Sequence, residues 1–152
     1  MLNVESAALK AGAEIARKFT GDGSDLSPPL SWSKGPSGTK TFAITCTDPD
    51  APVGTWWHWI IANIPAETLA LGENVPKTAI LAKDVCQGLN DFKQTGYNGP
   101  APPPGKLHHY HFKVMALDCK LSLPKNFAKA AFQQAIKGHV LAEGELMGVY
   151  KR

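Results

Sequence analysis

Alternating apolar and polar residues in the middle of the chain predict three β-strands. Residues 40–48 place apolar side chains on one face at every second position, namely Phe42, Ile44 and Cys46. Residues 108–117 alternate most regularly, and their apolar face carries Tyr110, Phe112, Val114 and Ala116. Their other face begins with His109 and His111 and becomes apolar only near its end. Residues 56–64 are apolar on both faces, which is typical of a strand buried between two layers.

Helical spacing is found towards the end of the chain. Residues 127–137 repeat apolar side chains at intervals of four, so we predict a helix with Asn126 as its N-terminal cap and Gly138 as its stop. Residues 139–152 fit a short second helix followed by a strand. Residues 5–16 fit a helix or a strand equally well.

Long loops rich in proline and glycine separate these elements, at residues 21–38 and 95–106. No internal repeat or linker divides the chain, so residues 1–152 are predicted to form one domain. The predicted fold class is α+β and mainly β, with an antiparallel core of short strands and helices towards the C-terminus.

The composition favours a folded, cytoplasmic protein. Apolar residues make up 43% of the chain and charged residues 19%, which argues against disorder. The net charge of +3 comes from scattered lysines without a basic run, so nucleic-acid binding is not expected. No apolar run reaches the ~18–20 residues of a membrane span, and we expect neither a signal peptide nor stable membrane insertion. Cys46, Cys86 and Cys119 lack CxxC spacing, as is typical of reduced thiols in a core.

The stretch TDPDAPVGTWWHW, residues 47–59, places charged side chains among prolines and tryptophans. Because side chains alternate along a strand, Asp48 continues the row of Cys46, and His108 lies in the row of Tyr110. Both therefore point inward at strand ends beside loops, which is typical of a pocket mouth. An aspartate beside histidines is expected to raise their pKa, so that such a cluster could receive a phosphate or carboxylate.

Structural interpretations compete with the functional one at several positions. Asp48 fits a turn-forming aspartate about as well as a pocket residue, and Asp50 is favoured as structural. His58, taken alone, is favoured as a core histidine. His109 and His111 are expected to be solvated on the opposite face of their strand.

Metal binding and nucleophilic catalysis are the rival chemistries. Four of the five histidines lie at positions 58, 108, 109 and 111, but there is no HExxH or paired-cysteine pattern, and alternation separates His109 and His111 from His108. GxSxG, P-loop and GxGxxG motifs are absent, and an acid near Cys46 would raise the pKa of that thiol. We therefore expect no metal, no cofactor and no catalytic residue.

Four motifs follow one another from about residue 20 to the C-terminus: DGSDLSPPLSW, DPDAPVGTWWHWIIANIP, QGLNDFKQTGYNGPAPPPGKLHHYHFKVMALD and GHVLAEGELMGVYKR. Together they resemble the phosphatidylethanolamine-binding protein family, in its prokaryotic Raf-kinase-inhibitor-like branch. The resemblance implies a central antiparallel sheet packed with a smaller second sheet, short peripheral helices and a small cavity for anionic groups. Carried over by position, it implies ligand-binding roles for Asp48, His58, Gly99, His108 and Tyr110, and it implies that Asp50 and Pro52 hold the loop.

Two positions depart from the family pattern. His109 stands where the family usually has arginine, with one extra residue after the preceding glycine, and Ala101 stands where it usually has cysteine. Losing an arginine removes a permanent planar cation, so the change at His109 bears on the affinity for an anion more than on the place of the pocket.

The favoured function is a non-catalytic binding protein for a small phosphate- or carboxylate-bearing ligand. By family resemblance alone, it would regulate a kinase or another enzyme by contact and form a homodimer. One alternative is a hydrolase of small esters or phosphates that uses an Asp–His pair in the same pocket. The other is a scaffold protein with a vestigial pocket.

Overall fold

Two antiparallel sheets organise the chain, all 152 residues of which are described by the computed structural model. The strands are β1 (Val4–Glu5), β2 (Leu30–Trp32), β3 (Thr41–Asp48), β4 (Trp56–Pro65), β5 (Ala70–Leu71), β6 (Cys86–Gln87), β7 (His108–Leu117) and β8 (Val140–Tyr150). One α-helix, α1 (Lys129–Ile136), and a 3-10 turn at Arg17–Phe19 complete the regular structure. The larger sheet has the order β6-β4-β3-β7-β8 and the smaller one the order β1-β2-β5. The predicted fold class is confirmed.

The two faces of the larger sheet are covered by different parts of the chain. On one face, the apolar rows of β3 and β7 join the smaller sheet in a core of 21 buried residues. On the other face, Met115 and Leu117 of β7 pack with Phe127 and Phe132 in a cluster of nine buried residues at α1. The alternation predicted for β3 and β7 is confirmed, because β7 becomes apolar on its second face where this cluster covers it.

The last segment forms one strand, so the predicted short helix before it is wrong. β8 pairs with β7 from Tyr150 opposite His108 to Val140 opposite Leu117, which satisfies the backbone hydrogen-bonding groups that the two strands turn towards each other. A Cβ at Gly144 would overlap the Leu2 carbonyl oxygen, so glycine lets the N-terminal segment lie directly on β8. Pairing with β7 and packing against the N-terminal segment thus outweigh the weak local preference of this segment for a helix.

The ends of α1 agree only in part with the prediction. The helix begins at Lys129, with Ala128 at the cap position and no side-chain cap hydrogen bond. Asn126 lies before the helix in the left-handed region, with φ of 58°, so its assignment as the cap is wrong. Gly138 follows the helix with φ of 78°, which confirms it as the residue that stops the helix.

The loops that position the site meet at one end of the larger sheet, where β3 ends and β4 and β7 begin. Residues 6–16 form neither a helix nor a strand of either sheet; instead, the Ile15 N–H donates to the Val149 carbonyl at 2.8 Å. All three cysteines are free, Cys46 and Cys86 buried and Cys119 half-buried. A helix long and apolar enough to cross a membrane does not occur in the structure.

Candidate ligand-binding site

The end of β3 and the start of β7 bring a carboxylate and an imidazole into direct contact. Asp48 Oδ2 lies 2.6 Å from Nδ1 of His108, and the two side chains are only 4% and 3% exposed. The second carboxylate oxygen accepts the backbone N–H of Asp50 at 2.8 Å. Both Asp48 oxygens are therefore hydrogen-bonded, as a buried carboxylate requires. The inward orientation predicted for Asp48 and His108 by strand alternation is what the structure has.

A β-bulge turns His58 towards this pair. Cys46 of β3 lies opposite Trp59, but Thr47 lies opposite Trp57, so His58 is the extra residue on β4. Simple alternation would group His58 with Ile60, which packs on the α1 face of the sheet. The bulge reverses this, and the His58 ring instead contacts the ring of Tyr110, with centroids 5.3 Å apart.

His58 is held by the loop that contains Asn98. Its Nδ1 lies 2.6 Å from the Asn98 carbonyl oxygen. Because a carbonyl only accepts, Nδ1 carries the hydrogen and Nε2 is the ring nitrogen left for a ligand. Burial lowers the pKa of His58, and the carbonyl of Asn98 and the charge of Asp48 oppose this effect. The charge of Asp48 acts on His58 in the expected direction, but burial is the larger effect, so the expected net rise in the pKa of His58 is wrong.

These residues line a cavity of about 240 Å³. This volume is below the ~300–1,000 Å³ of sites for drug-sized ligands. Its lining consists of Asp48, Ala51, Pro52, Val53, Trp56, His58, Phe92, Ala101, Pro102, Pro103, His108 and Tyr110. Neither lysine nor arginine contributes to this lining, so any positive charge in the cavity has to come from a histidine.

Tyr110 adds a hydrogen-bond donor to the lining, and Trp56 adds an aromatic ring. Burial, followed by the charge of Asp48, raises the pKa of Tyr110, so its hydroxyl stays protonated. The indole Nε1 of Trp56 is buried and has no hydrogen-bond partner within the protein. Because this atom is closed to solvent, it is not available to a ligand in the cavity, and Trp56 lines the cavity through its ring.

Gly99 does not line the cavity. Its backbone N–H donates to Oδ1 of Asp25 at 2.7 Å, and a Cβ at this position would overlap the Phe19 carbonyl oxygen. The side chain of Asn98 also donates to Asp25, at 3.1 Å. The structure thus gives the N–H of Gly99 a partner within the protein and places Gly99 where two loops pack together.

Asp50 holds the loop after β3. Its Oδ2 accepts the backbone N–H of His109 at 2.9 Å and lies 2.7 Å from Nδ1 of the same residue. The hydrogen bond from the His109 side chain is the main cause of the lowered pKa of Asp50. His109, which replaces the usual arginine of the family pattern, therefore contacts a carboxylate and not the cavity. Pro52 lines the cavity, whereas His111 lies half-exposed beside Glu145.

Sequence reasoning missed the aromatic and loop residues of the lining. Phe92 contacts the rings of both Trp56 and His58, with centroids 5.4 Å apart in each case. It lies in a long loop without periodicity, so no local pattern indicates its position. The place of Trp56 in the lining is equally hidden, because a tryptophan among apolar residues is typical of a core.

Comparisons with known proteins show which family the chain belongs to. The family model described as phosphatidylethanolamine-binding protein matches residues 5–151. The UPF0098 protein of Methanothermobacter thermautotrophicus is 42% identical over 151 residues, which cover 99% of each chain. The UPF0098 protein of Aquifex aeolicus is 41% identical over 154 residues, with coverage of 100% of this chain and 90% of that protein. The crystal structure of Escherichia coli YbcL, described as a new member of the mammalian PEBP family, is similar with a TM-score of 0.92. YbcL is 37% identical to this chain, with coverage of 99% and 98%.

The chain therefore belongs to the phosphatidylethanolamine-binding protein family. Membership in this family supports a role in binding.

Proposed function

We propose that the cavity binds the phosphate or carboxylate group of a small ligand and that the protein acts by binding, without catalysis. The observation that carries this proposal is the polar lining. His58 and His108 each use Nδ1 within the protein, which leaves Nε2 for a ligand, and the hydroxyl of Tyr110 stays protonated as a donor. Two imidazole nitrogens and one hydroxyl thus line a volume of about 240 Å³.

Proton uptake accompanies anion binding in this proposal. Burial lowers the pKa of His58, so its free Nε2 is an acceptor near neutral pH and cannot donate to an anion. Asp48 adds a negative charge to the cavity lining. An anion therefore binds together with a proton on His58 or on its own oxygen. Its affinity falls as the pH rises, by up to about tenfold per pH unit when one proton is taken up.

Hydrolysis of a small ester or phosphate is the second candidate, and the Asp48–His108 pair favours it, because a carboxylate that orients an imidazole resembles a general-base pair. The nearest thiol does not supply a nucleophile. Cys46 is fully buried, and burial followed by the charge of Asp48 raises its pKa. Kinase regulation, a homodimer and a cytoplasmic location rest on the resemblance and composition alone, and the proposal does not depend on them.

Calorimetric titration with acetate, inorganic phosphate and phosphoethanolamine tests the proposal. We expect saturable binding of at least one anion with a dissociation constant near or below about 1 mM. Replacement of His58 by glutamine is expected to weaken it at least tenfold, whereas His111→Gln, a matched change on an exposed strand face, is expected to leave it unchanged. Tighter binding of phosphoethanolamine than of phosphate indicates a headgroup ligand. An equal loss of affinity in His58→Gln and His111→Gln, or no saturable binding to wild type, contradicts the proposal.

The hydrolase candidate has a separate test. Assays with p-nitrophenyl acetate and p-nitrophenyl phosphate on wild type and Asp48→Asn measure turnover directly. Turnover that the substitution abolishes, in a variant shown by circular dichroism to be folded, would establish the hydrolase and contradict a purely binding function. Absent turnover, or turnover that the substitution leaves unchanged, would remove the hydrolase candidate.

A further inference from the structure

A second cluster of ligating side chains lies at the opposite end of β7 from the cavity. Asp118 and Cys119 follow β7 directly, and His139 directly precedes β8. The ten residues of β7 separate this cluster from His108 by about 30 Å, at ~3.3 Å per residue. The cluster is therefore independent of the cavity and of the function proposed for it.

The three side chains converge on one point. One ligand atom from each, a carboxylate oxygen, the thiol sulfur and a ring nitrogen, lies within 4.8 Å of the other two. Asp118 Oδ1 and His139 Nδ1 are 2.7 Å apart. The side chains of Asp118 and His139 are 41% and 44% exposed, so the cluster is open to solvent on one side and a metal ion can reach it.

The backbone around the cluster is fixed by hydrogen bonds from three directions. The Asp118 N–H donates to the His139 carbonyl at 3.0 Å, which ties the two ligand-bearing segments together. The Cys119 carbonyl accepts the hydroxyl of Thr41 at 2.8 Å, and the His139 N–H donates to Ile136 at the end of α1 at 3.0 Å. A site whose ligands are held by the scaffold loses little entropy when a metal binds.

We propose that Asp118, Cys119 and His139 form a site for a divalent transition-metal ion of the Zn²⁺ type, with water as the fourth ligand. Sulfur, nitrogen and oxygen are the ligands that Zn²⁺ takes, in tetrahedral geometry. Bonds of ~2.0–2.3 Å place tetrahedral ligand atoms about 3.3–3.7 Å apart. The 2.7 Å Asp118–His139 separation therefore opens by less than about 1 Å, and the separations from the sulfur, none above 4.8 Å, close by at most about 1.3 Å.

Charge and protons balance at this site. Cys119 releases its thiol proton to solvent, Asp118 binds as the carboxylate, and His139 binds as neutral imidazole with its hydrogen on the other ring nitrogen. Two negative ligands then neutralise the dication. The neighbouring cation Lys120 does not compete, because its ammonium pairs with Asp84 at 2.6 Å.

Titration of the reduced, metal-free protein with Co²⁺ tests the site, since Co²⁺ reports thiolate ligation by a charge-transfer band in the near ultraviolet. We expect one equivalent of Co²⁺ to give this band together with intense visible bands of tetrahedral coordination, and Zn²⁺ to displace it. Cys119→Ser is expected to abolish the thiolate band, and His139→Gln to weaken binding at least about tenfold, as losses around metal ligands do.

The matched control is His111→Gln, because His111 pairs with Glu145 at 3.2 Å in an exposed histidine–carboxylate pair without a cysteine. It is expected to bind Co²⁺ like wild type. Cys119, His139 and His111 are all only partly buried, so their replacement leaves the core intact. Circular dichroism verifies that each variant is folded. A missing thiolate band in wild type overturns the proposal, as does a Co²⁺ affinity that His139→Gln leaves unchanged.

Discussion

Replacing Asp48 with asparagine tests whether the Asp48–His108 pair is the structural centre of the cavity. Asp48 accepts hydrogen bonds from His108 at 2.6 Å and from the Asp50 N–H at 2.8 Å, and the pair is almost fully buried. Asparagine has only one acceptor oxygen. Either the hydrogen bond from His108 or the one from the Asp50 N–H is therefore lost, and the side-chain NH₂ group of the asparagine then faces that donor. A hydrogen bond to a charged group contributes about 1.5–3 kcal/mol, and an unsatisfied buried donor costs about 1–3 kcal/mol. His108 can change tautomer and so accept a hydrogen bond from the asparagine, which recovers part of the lost stability. We therefore expect the free energy of unfolding to fall by about 2–4 kcal/mol in total.

Urea unfolding at pH 7, with an unchanged m-value, measures this loss. Asp84→Asn is the matched control, because Asp84 pairs with Lys120 at 2.6 Å but is 65% exposed, and an exposed pair contributes only about 0–1 kcal/mol. Combining Asp48→Asn with His108→Gln is expected to give a coupling energy above about 1 kcal/mol. A loss in Asp48→Asn no larger than in the control, or additivity within about 0.5 kcal/mol, would refute the reasoning.

Two further predictions concern the loops around the cavity. Gly99→Ala is expected to destabilise the fold by about 1–3 kcal/mol, because the added Cβ meets the Phe19 carbonyl. In the control Gly72→Ala the added Cβ meets nothing within 4 Å, so a much smaller loss of stability is expected, and thermal unfolding compares the two variants. His109→Ala is expected to destabilise the protein at pH 7, and the difference from wild type should shrink as the pH falls and Asp50, whose pKa His109 lowers, is protonated. Urea unfolding at pH 7 and about pH 3 measures this, and a difference independent of pH would contradict it.

Strand alternation predicts the facing of Asp48 and His108, because both continue regular rows of buried residues in β3 and β7. The same rule fails for His58, because one extra residue in β4 reverses the alternation between Trp57 and Trp59. A bulge of this kind is set by pairing with the neighbouring strand and leaves no local signal in the sequence. Only the family resemblance indicates His58 as a pocket residue.

Contacts between distant loops account for the other differences. The resemblance implies that Gly99 binds a ligand, whereas the structure gives its N–H to Asp25, 74 residues away. Local patterns carry no information about such a partner. The C-terminal strand is ambiguous from its sequence for the same reason, because its cover by residues near Leu2 and its pairing with β7 are both long-range.

Histidine-resolved NMR during titration with acetate, at pH 6 and pH 8, tests the central claim most directly. Free acetate stays ionised over this range, so a fall in its affinity with pH measures the proton taken up on binding. We predict saturable shifts confined to the side chains of His58 and His108, with an affinity that falls from pH 6 to pH 8. Shifts that follow His109, His111 or His139 instead, or an affinity that does not change with pH, would contradict an anion cavity charged through His58.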